Sequence, residues 1–95
     1  MSETTTTCSK FNTGRIYMTP GIQRKLSMAS ISNALARHMA GDWGDLDEED
    51  RKANDDSVRF GGRILSVYVD RHQTRFWIIT EADRSSTTLL LPEEY

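Results

Sequence analysis

The sequence has a single cysteine, Cys8, only two prolines and no long apolar run. One cysteine cannot form an internal disulfide, which is typical of proteins from a reducing compartment. Residues 1–10 contain no apolar stretch of the kind that forms the core of a signal peptide. The apolar run Leu89–Leu91 is far too short to span a bilayer. The sequence therefore predicts a cytoplasmic protein without a membrane segment.

The chain is also short. Its 95 residues match the size of one domain, so two independent hydrophobic cores are not expected. A domain of this size has room for one modest core and little room for a deep, water-free cleft. Large substrates or partners would therefore be met on the outside of the molecule.

The formal net charge of −2 conceals an uneven distribution of charge along the chain. Residues 1–41 carry five basic residues against Glu3, whereas residues 42–56 carry eight acidic residues against Arg51 and Lys52. The remaining residues carry five charges of each sign. Charge separation of this kind steers partners more than it shapes the fold.

The first thirteen residues are polar and include the threonine run Thr4–Thr7. Low-complexity polar ends cannot repay the entropy lost on ordering, so we predict a disordered tail over residues 1–13. Residues 14–95 then form a single domain.

Residues 14–18 have the β-branched and aromatic character of a strand, and three helices are predicted to follow them. Thr19 is placed to cap the first helix, and Pro20 to occupy its first turn. A serine caps the second helix, and an aspartate caps the third, whose first turn is rich in the acids that the helix dipole favours. The predicted helices run over residues 20–26, from Ser27 or Ser30 to about Ala40, and over 47–60.

The last third of the sequence alternates between apolar and polar residues with a period of two, which predicts β-strands over residues 64–69, 76–80 and 87–91. The second strand is apolar on both sides, so we place it in the centre of a sheet. The fold class is therefore α+β. An N-terminal strand and two to three short helices are followed by a three-stranded antiparallel β-meander.

Three segments carry a resemblance to a known family: HMAGDWGDLDEEDRKAND (His38–Asp55), GGRILSVY (Gly61–Tyr68) and WIITEADRSSTTLLLPEEY (Trp77–Tyr95). They resemble a family of small uncharacterised bacterial proteins that are often borne on plasmids and other mobile elements. The resemblance extends from about Gly14 onwards, and GDWGDL and ITEADRS are its most specific parts. It implies mobile-element biology, with anti-restriction or anti-CRISPR counter-defence as the corresponding role.

Many members of that family carry the label "type I restriction endonuclease subunit M". A modification subunit needs a doubly wound cofactor-binding domain, with a glycine-rich turn after a strand and an Asn-Pro-Pro type catalytic loop. Pro20 and Pro92 are the only prolines, and neither belongs to such a motif. We therefore expect no methyltransferase chemistry.

The most unusual local sequence is Gly41–Asp45, with Trp43 between aspartates. In one interpretation Trp43 is an exposed anchor of the type that dominates binding hot spots. In the other it covers the core beneath the turn, while Asp45 caps the next helix. With the acids of that helix, the candidate binding residues are Asp42, Trp43, Asp45, Glu48, Asp55 and Asp56.

Few residues suggest catalysis or metal binding. Glu81 and Asp83, with Arg84 beside them, follow a strand and could hold a divalent metal ion, as strand-end acids do in many nucleases. Alternatively, Asp83 caps the backbone of a turn and Arg84 pairs with Glu81. Neither His38 nor His72 has enough further ligands at a metal-binding spacing. We therefore predict no catalytic residue, no metal ion and no cofactor.

The leading functional hypothesis is a non-enzymatic accessory protein that acts by binding another macromolecule, first of all a protein. One alternative is a small DNA-binding regulator, in which Arg24, Lys25, Asn33 and Arg37 would face DNA. The acidic stretch that follows them would repel phosphates, which counts against it. A metal-dependent hydrolase is the other alternative. The sequence does not identify the partner, and a homo-oligomer stays open.

Overall fold

The computed structural model describes residues 9–95. Its helices and strands begin and end within about two residues of the predicted positions, and the α+β fold class is confirmed. The elements in chain order are β1 (Arg15–Met18), α1 (Pro20–Lys25), α2 (Met28–Met39), α3 (Glu48–Phe60), β2 (Ile64–Val69), β3 (Arg75–Thr80), β4 (Ser86–Leu90) and a 3-10 turn (Pro92–Glu94).

Each α-helix begins at a side chain that caps its first turn. Thr19, Ser27 and Asp47 each accept a hydrogen bond from the backbone N–H three residues further on. The last helix ends at Gly61, whose φ of 90° is rarely adopted by a residue with a side chain. Within the part of the chain that the structure describes, no helix is long and apolar enough to traverse a lipid bilayer.

The four strands form one mixed sheet in the order β1-β4-β3-β2. As predicted, β2, β3 and β4 are antiparallel neighbours, with β3 between the other two. Strand β1 also joins the sheet, where it runs parallel to β4 with Ile16 opposite Thr87. The sheet is therefore not a pure meander. The three helices carry the chain from β1 at one edge to β2 at the opposite edge.

The core lies between one face of the sheet and helices α1 and α2. Tyr68, Phe76, Ile78 and Leu89 project from the strands of this covered face and are at most 3% exposed. Burial of each such side chain contributes roughly 1.5–3 kcal/mol. The side chains packed against them from the helices and the C-terminal segment are Ile22, Leu26, Ile31, Ala34 and Leu91.

The other side of the sheet, here called the open face, is also apolar. Strand alternation places Leu65, Val67, Trp77 and Ile79 on the open face. Their neighbours bury Val67 and Ile79, whereas Leu65 and Trp77 are only half-buried. Tyr17 of β1 lies on the same face and is 50% exposed.

The N-terminal residues pack more closely than predicted. Residues 1–8 of the predicted disordered tail lie outside the described residues, but Lys10–Thr13 contacts the domain. The backbone N–H of Lys10 donates to the carbonyl of Met39 at 2.8 Å. The ring of Phe11 packs edge-on against His38 at 5.2 Å. This part of the predicted tail therefore contacts the domain, through a backbone hydrogen bond and through an aromatic side chain that packs against the buried His38.

Candidate functional site

Trp43, the aromatic residue of the predicted site, is buried. Its side chain is 3% exposed, and Nε1 donates to the carboxylate of Asp55 at 3.0 Å. Its ring stacks on Phe11 at 6.2 Å and meets His38 edge-on at 5.9 Å. The interpretation of Trp43 as an exposed anchor is therefore wrong. As in the alternative, Trp43 covers the core beneath the turn, but Asp47 and not Asp45 caps the next helix.

The two aspartates beside Trp43 also have partners within the chain. The Asp42 carboxylate accepts from Arg37 at 2.7 Å, and this hydrogen bond holds the pKa of Asp42 below its ordinary value. The Asp45 carboxylate lies 2.7 Å from a guanidinium nitrogen of Arg75. Both acids therefore help to fix the turn against α2 and β3.

Two residues of the predicted site face solvent without such partners. Glu48 and Asp56 are exposed, and their side chains take part in none of the ion pairs or hydrogen bonds formed among residues 9–95. The structure thus divides the six predicted residues into two groups. Four of them hold the turn and α3 in place, and two contribute to an exposed surface. We call the solvent-facing acids Glu48, Glu49, Asp50 and Asp56 the acidic surface of α3.

The same turn closes the β2 edge of the sheet. The backbone N–H of Val67 donates to the Trp43 carbonyl at 3.2 Å, and the Asp45 N–H donates to the Val67 carbonyl at 2.7 Å. Gly44 lies between them with a φ of 78°, and a Cβ there would come within 2.0 Å of the Val67 carbonyl oxygen. The GDWGD sequence is therefore explained by this edge contact.

Asn54 of α3 covers a further part of the β2 edge. Its side-chain amide donates to the Leu65 carbonyl at 2.7 Å and accepts from the Leu65 N–H at 3.2 Å. One side chain thus replaces the backbone of a neighbouring strand. Asn54 was not predicted as a contact residue, because an asparagine inside an acidic helix carries no signal of a contact eleven residues away.

A chain of buried hydrogen bonds crosses the covered face of the sheet. Nδ1 of His38 lies 2.5 Å from Oγ of Ser66, and Nε2 lies 2.8 Å from Oγ1 of Thr80. Thr80 Oγ1 is 2.7 Å from Thr87 Oγ1, which donates to the Thr13 carbonyl at 2.8 Å. The side chains that make these hydrogen bonds have no exposed surface; they are His38, Ser66, Thr80 and Thr87.

The Thr13 carbonyl, at the end of this row of hydrogen bonds, fixes the direction of each bond as far as Nε2 of His38. A carbonyl only accepts, so Thr87 donates to Thr13 and accepts from Thr80. Thr80 in turn accepts from Nε2–H of His38. Burial lowers the pKa of His38 from 6.5 to about 4, so the ring is neutral at pH 7 and its unprotonated Nδ1 accepts from Ser66. His38 thus has a structural role in this arrangement.

The carboxylates considered for metal binding form a turn. Asp83 accepts from a backbone N–H two residues further on at 3.0 Å. Arg84 donates to backbone carbonyls, including that of Ser57 at 2.8 Å, and does not pair with the Glu81 carboxylate. Glu81 lies 3.5 Å from Arg63 instead. Within residues 9–95, no group of three or more His, Cys, Asp or Glu side chains is placed to hold a metal ion.

Two of the residues proposed to face DNA line a polar cleft of about 330 Å³ between α2 and the β2–β3 hairpin. Asn33 and Arg37 line this cleft, but Arg24 and Lys25 do not. The Arg37 guanidinium lies 4.8 Å from the centre of the Tyr68 ring and is also bound by its aspartate partner. The four residues are thus not gathered around this cleft.

The open face carries an apolar hollow of about 240 Å³ that the sequence analysis did not identify as a site. Leu65, Trp77 and Ile79 project from the sheet, and Arg63 and Tyr95 complete the lining. The rings of Trp77 and Tyr95 meet at 5.5 Å, and Arg63 donates to the Tyr95 hydroxyl at 3.0 Å. We call these five residues the Trp77 pocket.

A signal for this pocket was present in the sequence. Strands β2 and β3 are apolar on both sides, whereas residues 9–95 form three α-helices. Helices α1 and α2 pack on the covered face, and α3 contacts the edge strand β2. No helical residue lines the Trp77 pocket. An excess of apolar sheet surface over covering helices is therefore the signal in the sequence that indicates this pocket.

Comparisons with models of known protein families, with curated proteins and with solved structures find no significant match for this chain.

Proposed function

We propose that this chain is a non-enzymatic accessory protein that acts by binding another protein, which docks at the Trp77 pocket. The supporting observation is the composition of the pocket. A tryptophan, a tyrosine and an arginine meet around an apolar hollow, and these are the residue types most enriched in binding hot spots. Tyr95 is 68% exposed, so a partner would remove much of its surface from water.

The chemistry of the pocket defines the segment that it would accept. Leu65 and Ile79 offer an apolar floor, which favours a single apolar side chain of the partner. Among the described residues, Arg63 pairs with one carboxylate, that of Glu81 at 3.5 Å. A second carboxylate next to the apolar side chain would complement this guanidinium. The partner segment therefore combines an apolar side chain with an adjacent acid.

The acidic surface of α3 would act at longer range. Its carboxylates have no ion-pair partners among residues 9–95, so their field extends into solvent. Such a field attracts a basic region of a partner and raises the association rate. Glu48 and Asp56 keep the role proposed from the sequence. The aromatic contact with the partner is assigned to Trp77 and Tyr95 in place of Trp43.

The alternatives have less support. For a DNA-binding regulator, the guanidinium of Arg37 is already engaged by Asp42 and Tyr68, and the acids of α3 would repel phosphates. For a hydrolase, Asp83 is occupied in a turn. The resemblance to mobile-element proteins suggests a host defence enzyme as the partner, and this class is the first to test.

The test compares the pocket with an exposed aromatic residue outside it. Tyr95→Ala and Arg63→Ala alter the pocket, whereas Phe60→Ala removes a ring that is 74% exposed at the end of α3. Proteins captured by the parent chain would be purified, and their binding measured by calorimetry. We expect Tyr95→Ala to weaken binding about tenfold or more and Phe60→Ala to change it less than about twofold.

A purified partner that binds both pocket variants as tightly as the parent would contradict the proposed site. Salt-dependent binding of random duplex DNA by the parent, without a protein partner, would favour the regulator instead. A hydrolytic activity that is lost on chelation would favour the enzyme.

A further inference from the structure

The fold treats the two edges of its sheet differently. The β2 edge is covered by the turn at Gly44 and by the side chain of Asn54. The β1 edge lies at the other end of the sheet, where β1 pairs with β4 and with no other strand among residues 9–95. A strand edge with unpaired backbone groups is a template for one more strand.

Two hydrogen bonds between β1 and its neighbour show which backbone groups are free at this edge. The N–H of Arg15 donates to the carbonyl of Ser85, just before β4, and the N–H of Thr19 donates to the carbonyl of Leu89 in β4, each at 3.1 Å. In a parallel ladder alternate residues face the same neighbour, so Ile16 and Met18 direct their backbone groups away from the sheet. The side-chain amide of Gln23 already donates to the Met18 carbonyl at 3.2 Å. Ile16 is therefore the residue best placed to pair with another strand.

The side chains of β1 are also accessible. Arg15 and Tyr17 lie on the open face, and Ile16 lies on the other side of the strand. Tyr17 is 50% exposed and Ile16 is 39% exposed. Arg15 forms no ion pair within the described residues. The strand contains no proline, and its one charged side chain, Arg15, projects from the open face.

We propose that this edge pairs with the β1 edge of a second copy of the chain, antiparallel and about a twofold axis at Ile16. In this register Ile16 exchanges two backbone hydrogen bonds with Ile16 of the second copy. Arg15 then lies opposite Tyr17 of the second copy, and the reverse pair forms by symmetry. Residues at such positions have Cα atoms about 4.5 Å apart, which lets a guanidinium lie over a tyrosine ring.

A second copy fits this edge because the sequence Arg15–Ile16–Tyr17 is complementary to its own reversal. Each cation meets an aromatic ring, and each isoleucine meets an isoleucine. A register centred on Tyr17 would place that ring opposite itself and would use the Met18 carbonyl that Gln23 occupies. The pair about Ile16 is therefore the better match.

We expect the dimer to be weak, but its geometry places both Trp77 pockets on the same side of the joined sheet. Four-residue strands bury little area, so we expect a dissociation constant on the order of 10–100 µM. The twofold axis is perpendicular to the sheet, so both open faces lie on the same side of one eight-stranded sheet. The two Trp77 pockets would then face the same partner. The pairing itself does not depend on the function proposed above.

The test is sedimentation velocity of the full chain from about 5 µM to 1 mM. Ile16→Pro removes the N–H that points away from the sheet and spares the bonds to β4. We expect it to weaken dimerisation at least about tenfold. Tyr17→Arg places two arginines opposite each other, and we expect a similar loss. The exchange of Arg15→Tyr with Tyr17→Arg restores each cation–ring pair and should recover the dimer to within about threefold of the parent.

A parent chain that stays monomeric throughout this range would overturn the proposal, as would an Ile16→Pro variant that folds and dimerises as well as the parent. If the Ile16→Pro variant does not fold, the double variant Arg15→Tyr with Tyr17→Arg tests the proposal in its place. An exchanged variant that folds and stays as weak as Tyr17→Arg would overturn the register. Tyr95→Ala should dimerise like the parent, so failure of this proposal is distinguishable from failure of the Trp77 pocket.

Discussion

Nδ1 of His38 accepts a hydrogen bond from the Ser66 hydroxyl at 2.5 Å, and both residues are fully buried. Protonation of Nδ1 would turn this acceptor into a donor and would leave a positive charge at a site closed to water. Burial accordingly lowers the pKa of His38 from 6.5 to about 4.

The first prediction is a loss of stability in mild acid. In the unfolded chain His38 takes up a proton near pH 6.5, whereas the folded protein resists this until about pH 4. Below pH 6.5 the unfolded state therefore binds more protons, and the free energy of unfolding should fall by up to roughly 3 kcal/mol towards pH 4. Urea denaturation at several pH values measures this slope.

His38→Gln serves as the control, because glutamine does not titrate. The carboxyls of Asp42 and Glu94 have lowered pKa values and also lose their contribution in acid, so the comparison is made between pH 4.5 and 6.5. Equal slopes for the parent and for a folded His38→Gln variant in this window would refute the assignment.

The second prediction compares adjacent threonines of β4. Thr87 donates to the Thr13 carbonyl and accepts from Thr80, whereas Thr88 is half-buried on the open face. Thr87→Val keeps the side-chain shape but removes a hydroxyl from the buried chain, and should cost about 2–3 kcal/mol of the free energy of unfolding. Thr88→Val should change it by less than about 0.5 kcal/mol. Chemical denaturation measures the free energy of unfolding of both variants. Similar losses for Thr87→Val and Thr88→Val would show that the buried hydrogen bonds contribute little to stability.

The third prediction uses neighbouring isoleucines of β3. Ile78 is 0% exposed and belongs to the core under the helices, whereas Ile79 is 5% exposed on the open face. We expect Ile78→Ala to cost about 3–5 kcal/mol and Ile79→Ala about 1–2 kcal/mol less, because the open face can relax around the loss. Thermal and urea unfolding give both values. A larger cost at Ile79 would mean that something covers the open face in solution.

The fourth prediction concerns the acidic surface of α3. Glu48→Lys combined with Asp56→Lys should leave the melting temperature nearly unchanged, because exposed charges contribute little to stability. Association with the partner should become about tenfold slower at low salt, and the difference should shrink as salt screens the field. Asp55 is left intact because it accepts from Trp43.

Stopped-flow mixing over a range of salt concentrations measures this effect. Glu48→Gln with Asp56→Asn is the matched neutral variant and should show about half of the change in the logarithm of the rate. An unchanged rate for the lysine variant at low salt would mean that the acids only keep the chain soluble.

Local signals predicted the elements well, and the reason is visible in the structure. Thr19 and Asp47 each cap a helix through a contact three residues away, which a linear pattern can encode. The pairing of β1 with β4 was not predicted, because Ile16 and Thr87 are distant in sequence and a parallel contact leaves no turn between them.

The candidate site was harder to predict for a different reason. The same tryptophan among acids and glycines fits an exposed anchor and a buried cover equally well until its neighbours are known. Phe11 and His38 supply those neighbours to Trp43, and both come from other parts of the chain. Trp77 illustrates the reverse case. Its strand looks like a core strand, and only the shortage of covering helices leaves it accessible.

The closed β2 edge limits how far copies of this chain can assemble. In the proposed dimer both β1 edges are used, and the joined sheet ends in two β2 edges. Each of these ends is already occupied by Asn54 and the turn at Gly44 of its own chain. A third copy would find no strand to extend, so growth by strand addition, the route to fibrils, stops at two copies.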